Sequence, residues 1–138
     1  MQFIVQGNPQ GKARARTVRN KYTGKVHSYT PEKTQSYEDL IRWSFKEADG
    51  RYIGKSALRI DITANFPMPQ SFSKKKRHQA ITGALKPTKK PDCDNIIKVV
   101  LDALNGVAYH DDNQVTGVSL NKCYADKGSL EIIILELN

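Results

Sequence analysis

The chain has 138 residues and carries 22 Lys+Arg against 14 Asp+Glu, a formal net charge of +8, so polyanions are the first partners to consider. Hydrophobic residues make up 38%, too many for a disordered chain, yet the longest aliphatic run, residues 132–135, is far short of the ~20 apolar residues a membrane helix needs. Cys93 and Cys123 fit neither a disulfide framework nor a zinc spacing, and the opening MQFIVQGNPQGK has no basic region before an apolar core. The expectation is a single cytoplasmic domain, residues 1–138, with no membrane and no disulfide partner.

In chain order, residues 2–6 predict a strand and residues 7–11 a turn. Residues 16–19 and 25–29 predict the arms of a hairpin around residues 20–24. Thr30 as N-cap, Pro31 at the first helical position and Glu32 in the first turn open a helix. Tyr37, Leu40, Ile41, Phe45 and Ala48 keep its period, and Gly50 ends it. Residues 57–66 predict a strand, with Leu58, Ile60, Ile62, Ala64 and Phe66 on one face. Residues 67–91 are the least regular, although Ser73 can cap a short helix over KKKRHQAI. Asp94 or Asn95 is expected to cap a second long helix running to about Leu104, with Gly106 just beyond. Residues 115–125 predict a strand, irregular at Gly117. Residues 129–137 predict another, apolar on both faces and therefore interior. The fold class is α/β: one small domain, a mixed β-sheet with helices packed on it.

Charge is segregated along this frame. No acid precedes Glu32, and Lys12, Arg14, Arg16, Arg19, Lys21 and Lys25 fall in that stretch. A second acid-free stretch, residues 62–91, holds Lys74, Lys75, Lys76, Arg77, Lys86, Lys89 and Lys90. Surface charge is ordinarily mixed in sign, so two such tracts favour phosphate neutralisation over plain solvation.

Carboxylates then arrive in two groups, Asp92/Asp94 and Asp111/Asp112. If residues 92–94 are extended, Asp92 and Asp94 point the same way and suit a hard cation such as Mg²⁺ or Mn²⁺. Asp94, Lys98 and Asp102 recur at i, i+4 and i+8 on a helix that is otherwise apolar nearly all round. An ionic stripe on a buried helix reads as an active-site wall, with Lys98 as a buried ammonium. Taken singly, Asp94 is an ordinary helix cap and Asp111-Asp112 an ordinary surface turn; only the set favours chemistry. His27, His110 and Cys93 have no paired base or ligand in the sequence pattern and read as incidental.

The run KKPDCDNIIKVVLDALNGVAYHDDNQV, with PMPQSFSKKKRHQAITG before it, resembles the RusA-type Holliday junction resolvases, a bacterial family often carried by prophages. The pattern P-D-x-D-N-x-x-K, then L-N-G and D-D-x-Q-V, is long and specific. The resemblance implies a magnesium-dependent endodeoxyribonuclease, Mn²⁺ being a possible substitute, that acts as a homodimer on four-way DNA junctions in recombination and repair. It places essential aspartates at Asp92, Asp94 and Asp112, a functional lysine at Lys98, and less certain acidic roles at Asp111 and Asp102. A bacterial or phage-infected cytoplasm follows from it. The basic tract before Pro91 is longer than in the compact resolvase, which leaves substrate preference open though not phosphodiester chemistry; the rival classes are a flap or nonspecific nuclease and a non-catalytic branched-DNA-binding module. Expected DNA contacts are Lys12, Arg14, Arg16, Arg19, Lys74, Lys75, Lys76, Arg77, Lys86, Lys89 and Lys90.

Overall fold

The structure, a computed structural model, describes residues 1–137. Its strands are β1 (Gln2–Gln6), β2 (Arg16–Arg19), β3 (Val26–Tyr29), β4 (Leu58–Pro67), β5 (Val115–Ala125) and β6 (Ser129–Glu136). Its α-helices are α1 (Glu32–Glu47), α2 (Lys74–Thr82) and α3 (Cys93–Leu104), and a 3₁₀ turn spans Asp112–Gln114. Four strands form one mixed sheet in the order β1-β6-β4-β5, with β6 antiparallel to β1 and β4, and β4 parallel to β5. The α/β class with a mixed sheet is therefore as expected, and β6 is interior.

Alternation in the strands dictates the core. Leu58, Ile60, Ile62, Ala64 and Phe66 of β4, Leu130, Ile132 and Ile134 of β6, and Phe3 and Val5 of β1 are all buried. Tyr37, Ile41 and Phe45 of α1 and Ile96, Val99, Val100, Ala103 and Leu104 of α3 join them in one cluster. Each large aliphatic side chain buried there contributes roughly 1.5–3 kcal/mol. Among the described residues, no helix is long and apolar enough to cross a membrane.

Three local expectations are corrected. Thr30 does not cap α1: Pro31 sits outside the helix at ψ 143°, and its carbonyl accepts from Thr34 and Gln35 N–H at 3.0 and 3.1 Å. Neither Asp94 nor Asn95 caps α3: Asp92 does, with extended backbone, and its carbonyl accepts the first helical bond from Ile96 N–H at 3.1 Å. Residues 92–94 are thus not a strand. Asp94 lies inside the first helical turn, where a negative charge meets the positive end of the helix dipole. The irregularity expected at Gly117 falls one residue earlier: Leu58 pairs with Val115 and Arg59 with Gly117, leaving Thr116 as the extra residue of a bulge.

Parallel strands need a long crossover. Here the crossover from β4 to β5 carries α2, α3 and the 3₁₀ turn, and with them Asp92, Asp94, Asp111 and Asp112.

Candidate active site

The loop from α3 to β5 is fixed at several points. Tyr109 is fully buried and its hydroxyl donates to the Leu101 carbonyl of α3 at 2.7 Å. Ile53 N–H donates to Ala108 O at 2.8 Å, and His110 N–H donates to Gly54 O at 3.0 Å. Gln114 ties the turn down twice: its side-chain oxygen accepts from Asp111 N–H at 2.9 Å, and its amide donates to Gly54 O and Ser56 O. In return the Asp111 carboxylate accepts from Asn113 N–H, which closes a capping box. Asp111 is therefore a turn-builder, whereas Asp112 has no side-chain bond among the described residues.

Burial raises the pKa of the Tyr109 phenol, and the charges of Asp112, Asp102 and Asp111 raise it further. Those three charges are thus felt at one buried hydroxyl, which is anchored to the Leu101 carbonyl of α3. Sequence reasoning missed Tyr109 and Gln114 as positioning residues. Gln three residues after a capping Asp was the signal available for the second.

Lys98 is not buried; its side chain is 60% exposed, and its ammonium pairs with Asp102 at 3.1 Å. The stripe it occupies faces solvent at that position, because the buried arc of α3 is filled by Ile96, Val99, Val100, Ala103 and Leu104. The more enclosed ammonium belongs to Lys12, which bonds Glu38 of α1 and lies 3.3 Å from Asp102 of α3. Burial lowers the Lys12 pKa, but the hydrogen bonds and charges of Glu38 and Asp102 outweigh it and leave the value raised. Lys12 thus ties α1, α3 and the N-terminal segment together, and its charge is engaged within the protein.

An open groove of about 650 Å³ lies at the start of α3. Its walls bring Arg14, Arg16, Lys33 and Lys90 beside Asp92, with Lys12 at its floor. Both acid-free tracts therefore reach one concavity, and Asp92 is the sole carboxylate among its lining residues. Lys33 was not selected from the sequence. Elsewhere, Lys74, Lys75 and Lys76 are exposed on α2, while Arg77 is half-buried. Lys76 lies 5.4 Å from the centre of the Phe72 ring. Lys86 and Lys89 are exposed, and Arg19 belongs to the exposed β2–β3 hairpin.

Gly11 sets the groove's width. A Cβ there would stand 2.8 Å from Asn95 Cβ and 3.1 Å from Pro91 Cβ, and Lys12 N–H bonds Asn95 O at 2.9 Å. Gly11→Ala forces this segment off α3. The expected cost is about 1–3 kcal/mol of stability, read by denaturant unfolding, with weakened DNA binding alongside; an unchanged midpoint would show that the segment yields freely.

Among the described residues, no group of three or more His, Cys, Asp and Glu side chains is placed to hold a metal ion. Asp92, Asp94 and Asp112 are thus not gathered into a cage. Their chemistry still suits a hard cation. All three are carboxylates without a protein hydrogen bond or ion pair among the described residues, and Mg²⁺ characteristically takes one or two carboxylates and completes its shell with water and substrate phosphate.

A family profile described as Endodeoxyribonuclease RusA matches residues 6–135. An uncharacterised protein of Bacillus subtilis (strain 168), YqaN, is 36% identical over 141 residues, an alignment covering 100% of this chain and 97% of that protein. The match takes in the groove, α3 and the tethered turn alike, and the chain belongs to the RusA endodeoxyribonuclease family.

Proposed function

We propose that the protein is a magnesium-dependent, structure-selective endodeoxyribonuclease that resolves four-way DNA junctions by symmetric hydrolysis of two phosphodiesters. The observation that carries this reading is the groove: a cationic concavity whose one acidic lining residue, Asp92, opens α3 with Asp94 two residues on. A non-catalytic DNA-binding module has no use for an exposed carboxylate there, since it opposes phosphate binding.

Asp92, Asp94 and Asp112 would hold Mg²⁺, with Mn²⁺ as a substitute. When bound, the ion supplies charge neutralisation at the scissile phosphate and a lowered pKa for water. Arg14, Arg16 and Lys90 hold the phosphates that flank the scissile one without reading sequence. Lys98 stabilises negative charge developing on the oxygens of the scissile phosphate, held in place by Asp102. Asp111 keeps the turn in shape so that Asp112 stays free. Two symmetric nicks require two sites related by a twofold axis, which a C₂ homodimer of this chain supplies.

The test incubates labelled four-way junction, flap and duplex DNA with the protein in Mg²⁺ or EDTA. The expected result is paired nicks in the junction alone, only with Mg²⁺. Equal cutting of all three DNAs would make it a general nuclease, and tight junction binding without cutting would make it a binding module.

A further inference from the structure

The β2–β3 hairpin contributes nothing to the core: all eight strand residues are exposed. A segment of this kind is retained for what it touches. Its charge says what that is, because no acid occurs before Glu32 and the hairpin and its tip carry Arg16, Arg19, Lys21 and Lys25. A protein surface or a second copy of this basic chain offers such an arm less than a polyanion does.

The tip is built, not slack. The Asn20 side-chain oxygen accepts from Tyr22 N–H at 2.8 Å and from Thr23 N–H at 3.1 Å. Gly24 N–H donates to Asn20 O at 2.9 Å, and Asn20 N–H donates to Lys25 O at 2.8 Å. Gly24 takes φ 71°, which a side chain would resist. This turn holds Tyr22 98% exposed in a stretch that also carries Lys21 and Lys25. An aromatic ring held fully in water on a basic turn is poorly suited to duplex DNA, whose bases are stacked inside. It is well suited to an unstacked base, because every base offers a π-face.

Geometry ties the ring to the groove. Arg16, at the base of β2, lines the groove beside Asp92, and the tip stands roughly 10–15 Å farther out at ~3.4 Å per strand residue. That span equals about three to four nucleotide steps at ~3.4 Å each along one strand.

We infer that the β2–β3 hairpin is a branch-sensing arm: Tyr22 stacks on a base left unstacked at a DNA branch point, a few nucleotides from the phosphate held beside Asp92. The inference rests on the proposed reading of the protein as a junction nuclease. It makes Tyr22 a specificity-determining residue rather than a catalytic one. The preference for branched over duplex DNA then comes from stacking, and affinity common to both comes from charge.

The test compares wild type, Tyr22→Ala and Tyr22→Trp in EDTA, binding a four-way junction that carries 2-aminopurine at the branch and a matched plain duplex. Circular dichroism serves as the folding control. Tyr22→Ala is expected to weaken junction binding by on the order of tenfold while leaving duplex binding and the salt slope unchanged. The 2-aminopurine signal of the wild-type complex should be lost with Tyr22→Ala and kept with Tyr22→Trp. Equal junction affinity and equal fluorescence for wild type and Tyr22→Ala overturn the inference. So does a change of sedimenting mass with Tyr22→Ala alone, which would seat the arm on a second copy of the chain. Failure of the underlying reading looks different: wild type itself would then bind junction and duplex equally, or fail to nick the junction in Mg²⁺.

Discussion

Asp92→Asn, Asp94→Asn and Asp112→Asn each reduce junction cleavage, by on the order of 10³-fold, the equivalent of about 4 kcal/mol in the barrier, while junction binding holds or tightens. The two readouts separate because the substitutions remove negative charge beside a phosphate site. Affinity gains from that, and only the chemical step loses. Asn keeps the size and the polarity of each side chain, and none of the three carboxylates makes a protein hydrogen bond or ion pair among the described residues, so the fold has little to lose. Single-turnover cleavage and gel-shift binding, run on the same preparations, read both quantities. Near-wild-type turnover for any one of the three removes that residue from the ligand set. Asp111→Asn is the control: its carboxylate accepts from Asn113 N–H in the capping box, so its loss shows first in stability. Lys98→Ala should lower turnover more than affinity, since one exposed ammonium among many phosphate contacts matters most where charge develops.

Replacing Arg14, Arg16 and Lys90 together by Ala costs roughly two to three decades of DNA affinity at ~0.1 M salt and flattens the slope of log K against log salt by up to about 2.7. Each of the three lines the groove and is exposed. Lys12 is left out of the set because its ammonium is held by Glu38 and Asp102, and its removal would disturb packing as well as charge. Lys74→Ala/Lys75→Ala/Lys76→Ala on α2 makes the comparison. Both sets remove three cations, so an equal loss from each would show that DNA spans from the groove to α2. A larger loss from the groove set confines the main contact to the start of α3. Parallel salt slopes for the groove variant and the wild type would show that the groove is not where phosphate binds.

Much of the fold was legible in the sequence because the core follows alternation and helical period closely. β4 reads as one apolar and one polar face, and β6 as an apolar strand that the sheet flanks on both edges, although only Leu130, Ile132 and Ile134 of it are fully buried. What was not legible came from competition among good local candidates. In Asp92-Cys93-Asp94-Asn95, three residues can cap a helix, and only the packing of the preceding segment against α3 selects the first. Lys98 was expected in the interior because its neighbours are apolar. A helix needs only part of its circumference buried, and the remaining arc is where Lys98 points. The groove was least accessible to sequence reasoning. Its walls come from residues near 10–16, 31–34 and 90–95, brought together through Gly11 and Lys12, and no local pattern announces a contact across about 80 residues.

The place of β6 has a consequence for how the protein is made. β1 pairs only with β6, and β6 also completes the hydrogen bonding of β4. During synthesis the N-terminal strand therefore has no partner until nearly the whole sequence has been translated. The segment that follows it, with Gly11, Lys12 and the arginines of the groove, has no sheet edge to hang from before then. The carboxylates of α3 and its following turn are close in sequence and can take shape earlier, but the cationic wall of the groove cannot. Long-range strand pairing of this kind is also slow to form. A nascent chain thus completes the groove last, and a translation product that lacks β6 loses the partner of β1 and β4 together with the core residues Leu130, Ile132 and Ile134.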